Sequence, residues 1–146
     1  MTRLYPDRPV VGVGAVVWRG DRVLLVRRGR PPRLGQWSLP GGGQLVGETL
    51  LAAVAREVHE ETGLALDEIR LLTTVDLIDR DADGRVRYHY TLVDFTAEAA
   101  PGEAVAGDDA VAVAWFGLDA LAELGLWAET LRIIDLAAAS RRQGQE

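Results

Sequence analysis

The stretch Glu48–Thr62, ETLLAAVAREVHEET, constrains this chain more than any other. Leu51, Val54, Ala55, Val58 and Thr62 recur at i, i+3, i+4, i+7 and i+11, the apolar stripe of an amphipathic helix. At 100° per residue, Glu57, Glu60 and Glu61 fall within an arc of about 100° beside that stripe, with His59 well away. Like charges at these spacings repel by some tenths of a kcal/mol per pair. Glu60 and Glu61 also sit near the helix C-terminus, where the macrodipole disfavours anions. Arg56 is the only local compensation. Two readings stand side by side: a solvated helix face, the usual fate of a charge run, or a socket for cations. A solvated face would interleave lysines, and a conflict of this kind is expected where a site is built.

Around this helix the pattern alternates strand and helix. Val10–Trp18 and Arg22–Arg28 read as strands joined by the turn RGDR, followed by a loop over Gly29–Trp37 and the glycine-rich connection SLPGGGQLVGE. Strands are expected at Ile69–Asp79 and Arg85–Glu98, joined by DRDADG with its Asp83-Gly84 turn signal. A surface loop, AAPGEAVAGDDA, leads to a last strand at Val111–Leu118. Asp119 is expected to cap a short helix over Ala120–Leu124. Thr130 is expected to cap a final helix with Leu131, Ile134 and Leu136 inward and Arg132, Asp135 and Arg141 outward. No repeat or linker divides the chain, which reads as one domain over residues 1–146, with residues 141–146 a frayed tail.

Composition excludes several classes. A net charge of −6 argues against general attraction to nucleic acid or anionic lipid, so an anionic ligand needs metal ions or clustered arginines. The chain has no cysteine, which removes disulfides, thiol chemistry and thiolate metal sites. No apolar run approaches 18 residues and the first residues carry no apolar leader core, so a cytoplasmic location is expected, with neither membrane nor nucleic acid as partner. Exposed apolar strands leave a homodimer open.

Written out from Gly42, the chain gives five residues, Glu48, seven residues, then Arg56-Glu57-Val58-x-Glu60-Glu61-x-Gly63-Leu64. This resembles the Nudix box, Gx5Ex7REUxEExGU with U aliphatic, at every specified position over residues 42–64. Chance agreement is on the order of 10⁻⁷ or less per chain of this length. LLVRRGRPP, WSLPGGG and AWFGL also look like the family's flanks, so the resemblance runs from about Val10 to Leu124.

The resemblance implies an α/β fold, an α/β/α sandwich around a mixed β-sheet with the box as a loop–helix–loop motif. It also implies an activity, substitution at phosphorus in a nucleoside diphosphate linked to another group. Such a substrate is anionic and repels a nucleophile, so hard divalent cations with oxygen ligands, Mg²⁺ or also Mn²⁺, are the implied cofactor. Zinc fits poorly with only His59 and His89 available. Glu57, Glu60 and Glu61 are then the implied metal ligands, with the Gly41 carbonyl as a further one. Glu57 occupies a position that the family uses as ligand or as general base, and both roles remain open. Arg56 would orient Glu57 or pair with Glu48. The general base is variable in the family, and the later loop offers Glu103, Asp108 and, first among them, Asp109. Of the basic cluster Arg27, Arg28, Arg30 and Arg33, Arg27 and Arg28 are the expected phosphate holders. Trp37 and Trp115 read as core or wall residues, and Tyr88, His89 and Tyr90 as packing on a strand with one face open to a nucleobase.

The substrate is less constrained. Asp79 and Arg80 stand where relatives often carry a proline for ADP-ribose or a tyrosine for dinucleoside polyphosphates. The context RRGRPP with WSLPGGG resembles small bacterial ADP-ribose-pyrophosphatase-like members, so ADP-ribose or a nucleotide sugar is preferred. Nucleoside triphosphates, including oxidised ones, come next. A non-catalytic nucleotide-sensing module is the reading from another class, and the intact box carboxylates weigh against it.

Overall fold

The structure is a computed structural model that describes residues 3–30 and 33–144. It is built around a hairpin that divides. Strand β1 (Val10–Arg19) and strand β2 (Arg22–Arg28) pair only at their joined ends, Trp18 with Val23 and Arg19 with Arg22, around Gly20 at φ 62°. Beyond that they separate. β4 (Gly41–Gly43) pairs antiparallel along β1 at Gly12–Gly14, and β3 (Trp37–Ser38) pairs along β2 at Val26 and Arg27. On its other edge β1 runs parallel to β6 (Val86–Ala99), which pairs antiparallel with β5 (Leu66–Arg80). β7 (Ala110–Gly117) lies antiparallel along β2. The result is one mixed seven-stranded sheet.

Helices cover both faces, as the α/β/α expectation requires. Val13, Ala15 and Val17 of β1 pack with Ala53, Val54 and Val58 of helix α1 (Leu50–Thr62), together with Leu24, Leu64, Val93 and Phe95. The alternate residues Val16 and Trp18 pack on the opposite face against Ile133, Ile134, Ala137 and Ala138 of helix α2 (Ala128–Gly144). This is the period-two alternation of a sheet buried on both sides. Each fully buried aliphatic side chain here contributes about 1.5–3 kcal/mol relative to exposure.

The ends of α1 follow from its sequence. Thr49 is the N-cap, its hydroxyl accepting from the Ala52 N–H at 3.0 Å. Gly63 adopts the left-handed conformation at φ 75° and donates to the His59 carbonyl at 2.8 Å. The stripe is rotated from the expected one, because Leu51 is exposed while Ala53 is buried.

Helix α2 corrects the sequence reading more substantially. It begins at Ala128, so Thr130 is not its cap but a buried residue of its first turn. Its inward stripe is Thr130, Ile133, Ile134, Ala137 and Ala138, and Leu136 is exposed. Of the expected inward residues, Ile134 is buried and Leu131 packs against the core, and only Leu136 is displaced, by Ala137 and Ala138. Arg141 does not face outward; its guanidinium lies 4.4 Å from the Trp18 ring and donates to both Glu98 oxygens at 3.0 and 3.1 Å. That anchor carries the helix through Gly144, where a frayed end was expected; residues 145–146 lie outside the described residues. Likewise Asp119 caps nothing by hydrogen bond, since the short 3₁₀ helix Leu118–Leu124 starts after Gly117. Among the described residues no helix is long and apolar enough to cross a membrane.

Candidate active site

The acidic face of α1 is organised by Arg56. Its Nε donates to Glu48 Oε2 at 2.6 Å, and Nη2 donates to Glu48 Oε1 at 2.9 Å and to the Gly43 carbonyl at 2.8 Å. Nη1 donates to Glu57 Oε1 at 2.8 Å and to Glu60 Oε2 at 3.1 Å. One planar fork therefore ties the strand that opens the box to three carboxylates, which a lysine could not do. Both roles considered for Arg56, orienting Glu57 and pairing with Glu48, are present together. Glu48 also accepts from the Leu45 N–H at 2.9 Å, and with Arg56 this holds its carboxyl below the usual range.

Glu61 lies outside that network. Burial, and then the Glu57 charge, push its carboxyl up to about 8, against the N–H of Gly41, which donates to it, and the nearby Arg28. Glu57 is also raised, by burial first, with Arg56 opposing. Glycines make this crowding possible. A Cβ on Gly42 would collide with the Glu57 carboxylate, and one on Gly41 with the Val13 carbonyl. The face thus carries more negative charge than Arg56 offsets, and burial makes the excess costly.

The downstream loop is fastened to the exposed carbonyls at the end of α1. The Val105 N–H donates to the Thr62 carbonyl at 2.8 Å and the Gly107 N–H to the Glu61 carbonyl at 2.9 Å. A side chain at Gly107 would strike the Glu60 carbonyl. This docking brings Asp109 close enough to Glu61 to raise its carboxyl further, while Arg30 pairs with Asp109 at 2.8 Å.

The donor set suits a hard divalent cation: all-oxygen ligands, excess negative charge and two carboxyls that burial pushes up for want of enough counter-charge. Among the described residues no group of three acidic or imidazole side chains is already gathered as a metal cage. Arg56 accounts for this, because it engages Glu57 and Glu60 while Glu61 bonds to Gly41. Glu60 is the freest of the three, its side chain 40% exposed against 16% for Glu57.

Across β4, on the α2 side of the sheet, lies a cavity of about 220 Å³. Gly41 and Gly42 line it as well as touching the carboxylates, so the two features share one strand. Trp37, Tyr90 and Trp127 supply aromatic walls, and Arg3, Arg28 and Arg33 positive charge. Trp37 is braced edge-to-face by Phe116 at 5.1 Å, and the Arg33 guanidinium stacks 4.6 Å from the Trp127 ring. The two expected phosphate holders separate here: Arg28 lines the cavity, whereas the exposed Arg27 donates to the Gly35 carbonyl at 3.1 Å. The ladder of β2 with β7 shifts register between these two residues, and Arg28 also lies near enough to Glu61 to oppose the rise of its carboxyl. Trp115 faces the α1-side core, with Arg19 4.9 Å from its ring.

Several residues of this region escape a reading of the sequence. Arg3 and Trp127 come from distant ends of the chain and carry no local signal. Asp94, buried in β6 and lining the cavity, sits in an ordinary alternating strand. Thr49 could have been found, since a threonine before an apolar-periodic run is a cap signal.

Comparison with known proteins agrees with this arrangement. Residues 8–137 match the NUDIX domain family. An ADP-ribose pyrophosphatase of Methanocaldococcus jannaschii is 38% identical over 122 residues, covering 84% of this chain and 69% of that protein. A putative 8-oxo-dGTP diphosphatase 2 of Mycobacterium tuberculosis is 51% identical over 61 residues, 41% of this chain and 43% of the relative. The crystal structure of a MutT NUDIX hydrolase from Burkholderia pseudomallei superposes with a TM-score of 0.78 at 37% identity, covering 89% of this chain and 98% of the other.

Proposed function

This chain belongs to the Nudix family of pyrophosphohydrolases, and from that footing we propose that it cleaves the pyrophosphate linkage of a nucleoside diphosphate joined to another group, ADP-ribose or a nucleotide sugar foremost. The observation that carries the reading is the pairing of an under-neutralised carboxylate face with a cationic, aromatic-walled cavity across the single strand Gly41–Gly43. The name of the archaeal relative supports ADP-ribose, and that of the mycobacterial relative supports an oxidised nucleoside triphosphate as the second reading. A single domain spans the chain in this reading.

Glu57, Glu60 and Glu61, with the Gly41 carbonyl, are the residues that would hold a divalent cation, Mg²⁺ before Mn²⁺. Such a cation neutralises the diphosphate oxygens and lowers the pKa of a water nucleophile. The chain's own residues do the rest. Arg28 binds phosphate oxygens at the mouth of the cavity, and Trp37, Tyr90 and Trp127 enclose the nucleoside. Arg56 fixes Glu57 Oε1, leaving Oε2 over the bare face of Gly42 as a ligand or as the acceptor of the water proton. Asp109, delivered by the docked loop, is the alternative acceptor.

Hydrolysis of a nucleotide panel with Mg²⁺ in ¹⁸O-labelled water tests the reading and locates the phosphorus attacked. The wild-type chain should turn over at least one nucleoside diphosphate derivative, and Glu61→Gln should lower kcat by orders of magnitude with the fold intact. Equal activity in the variant would contradict the ligand assignment. No turnover across the panel would move the chain to the nucleotide-sensing class.

A further inference from the structure

Asp94 is 5% exposed, and its Oδ2 is the buried side-chain atom without a hydrogen-bond partner among the described residues. Its setting makes this costly. It lies in β6 between Val93 and Phe95, which face the α1-side core, and so points to the α2 face with Leu92 and Thr96. Thr96, the next residue on that face, is satisfied by the Trp18 indole N–H at 3.0 Å. Asp94 has no such donor. Arg132 is the cation that acts on it, and Arg132 is committed to Glu129 at 2.7 Å. A buried acceptor without a donor is rare in folded proteins and calls for a reason, and an apolar residue would be more stable here.

The backbone around it is cleared of side chains. Asp94 pairs with Gly14 in the β1–β6 ladder, and Gly14 pairs with Gly41 on its other side. A Cβ on Gly14 would stand 2.8 Å from Asp94 Oδ1. Both Asp94 and Gly14 line the cavity, so the carboxyl borders space that a ligand can enter. From Asp94 to Gly41 is two strand spacings, about 10 Å, the order of the span from a nucleobase edge to its own diphosphate.

We propose that Asp94 is the residue that reads the base: its carboxylate accepts an N–H from the amino edge of a purine seated between the aromatic walls. This rests on the nucleotide reading of the cavity given above. A carboxylate accepts and does not donate, so it favours bases that present amino hydrogens and disfavours those that present only lone pairs. The 6-amino group of adenine and the N1–H and 2-amino groups of guanine share that chemistry. Burial raises the Asp94 carboxyl to about 6, so it is mainly ionised at neutral pH and accepts through a charged oxygen.

The test is calorimetric binding to the full chain with Mg²⁺, using α,β-methylene ADP-ribose, which cannot be cleaved, and its 6-desamino purine counterpart. The wild-type chain should favour the amino ligand by about 10- to 100-fold, the worth of one hydrogen bond to a charged acceptor. Asp94→Val should bring the ratio close to one without loss of folding by circular dichroism. Asp94→Asn keeps an acceptor oxygen and should retain the preference. A guanine counterpart bound more tightly than adenine, and weakened by Asp94→Val, supports the inference with guanine as the base. A wild-type ratio near one without a guanine preference that Asp94→Val removes, an unchanged ratio in Asp94→Val, or no binding of any ligand overturns it. Turnover in the panel experiment is read separately, so loss of base reading and loss of hydrolysis are distinguishable.

Discussion

Replacing Arg56 by methionine keeps the aliphatic stem and removes the fork. Four acceptors lose their donor at once: Glu48, Glu57, Glu60 and the Gly43 carbonyl. Removing one partner of a buried ion pair costs about 3–5 kcal/mol. The Arg56 side chain is 24% exposed, so water recovers part of that, and a net loss of about 2–3 kcal/mol is expected. At this chain length that corresponds to a fall in Tm of about 5–10 °C. Arg56→Lys should lie between, because three donors on one point cannot span three carboxylates and a carbonyl. Scanning calorimetry in chelator measures both, and added Mg²⁺ should recover part of the loss by replacing the missing positive charge. A fall under about 2 °C for the methionine variant, or equal stability of the lysine variant and wild type, would refute the view that the fork holds this face together.

Glu61 sets a pH dependence. Burial pushes its folded carboxyl up to about 8, above the unfolded ~4.3, so the folded chain retains the proton longer. Stability of the metal-free protein therefore falls as pH rises through that window, and denaturant titrations in chelator should show Glu61→Gln flattening the slope. Gly42→Ala places a methyl against the Glu57 carboxylate and should cost at least about 10-fold in kcat, with little change in KM; unchanged kcat would show that Glu57 is free to move. Arg141→Ala loses the contact with Trp18 and both bonds to Glu98, and should cost about 1–2 kcal/mol by denaturant unfolding.

Sequence periodicity carried far where burial is regular. The α1 face, the β1–β2 hairpin and the Asp83–Gly84 turn all follow from local pattern, and the mixed sheet with helices on both faces agrees with the family implied by the box. It failed where tertiary contact decides. β3 and β4 are two and three residues long, and the glycines of β4 become a strand only because Gly12–Gly14 pair with them. On α2 the pattern places Leu131 and Ile134 correctly but misplaces Leu136, because leucines outrank alanines by hydropathy whereas the sheet surface accepts Ala137 and Ala138. Local pattern does not separate Arg27 from Arg28, because the ladder with β7 shifts register between them. Asp94 offered no signal, because its significance lies in a missing partner, which exists only once the neighbours are in place.

The parallel ladder of β1 with β6 sets an order of assembly. Val10 aligns with Tyr90 and Trp18 with Glu98, so the first strand of the chain waits for one of the last before its central edge is covered. Such distant closure is slow, and during synthesis the apolar β1–β2 hairpin has to persist without it. A chain released short of Glu98 lacks the ladder's final register partner, so nascent fragments of this protein should need chaperone protection until residues well past the box have emerged from the ribosome.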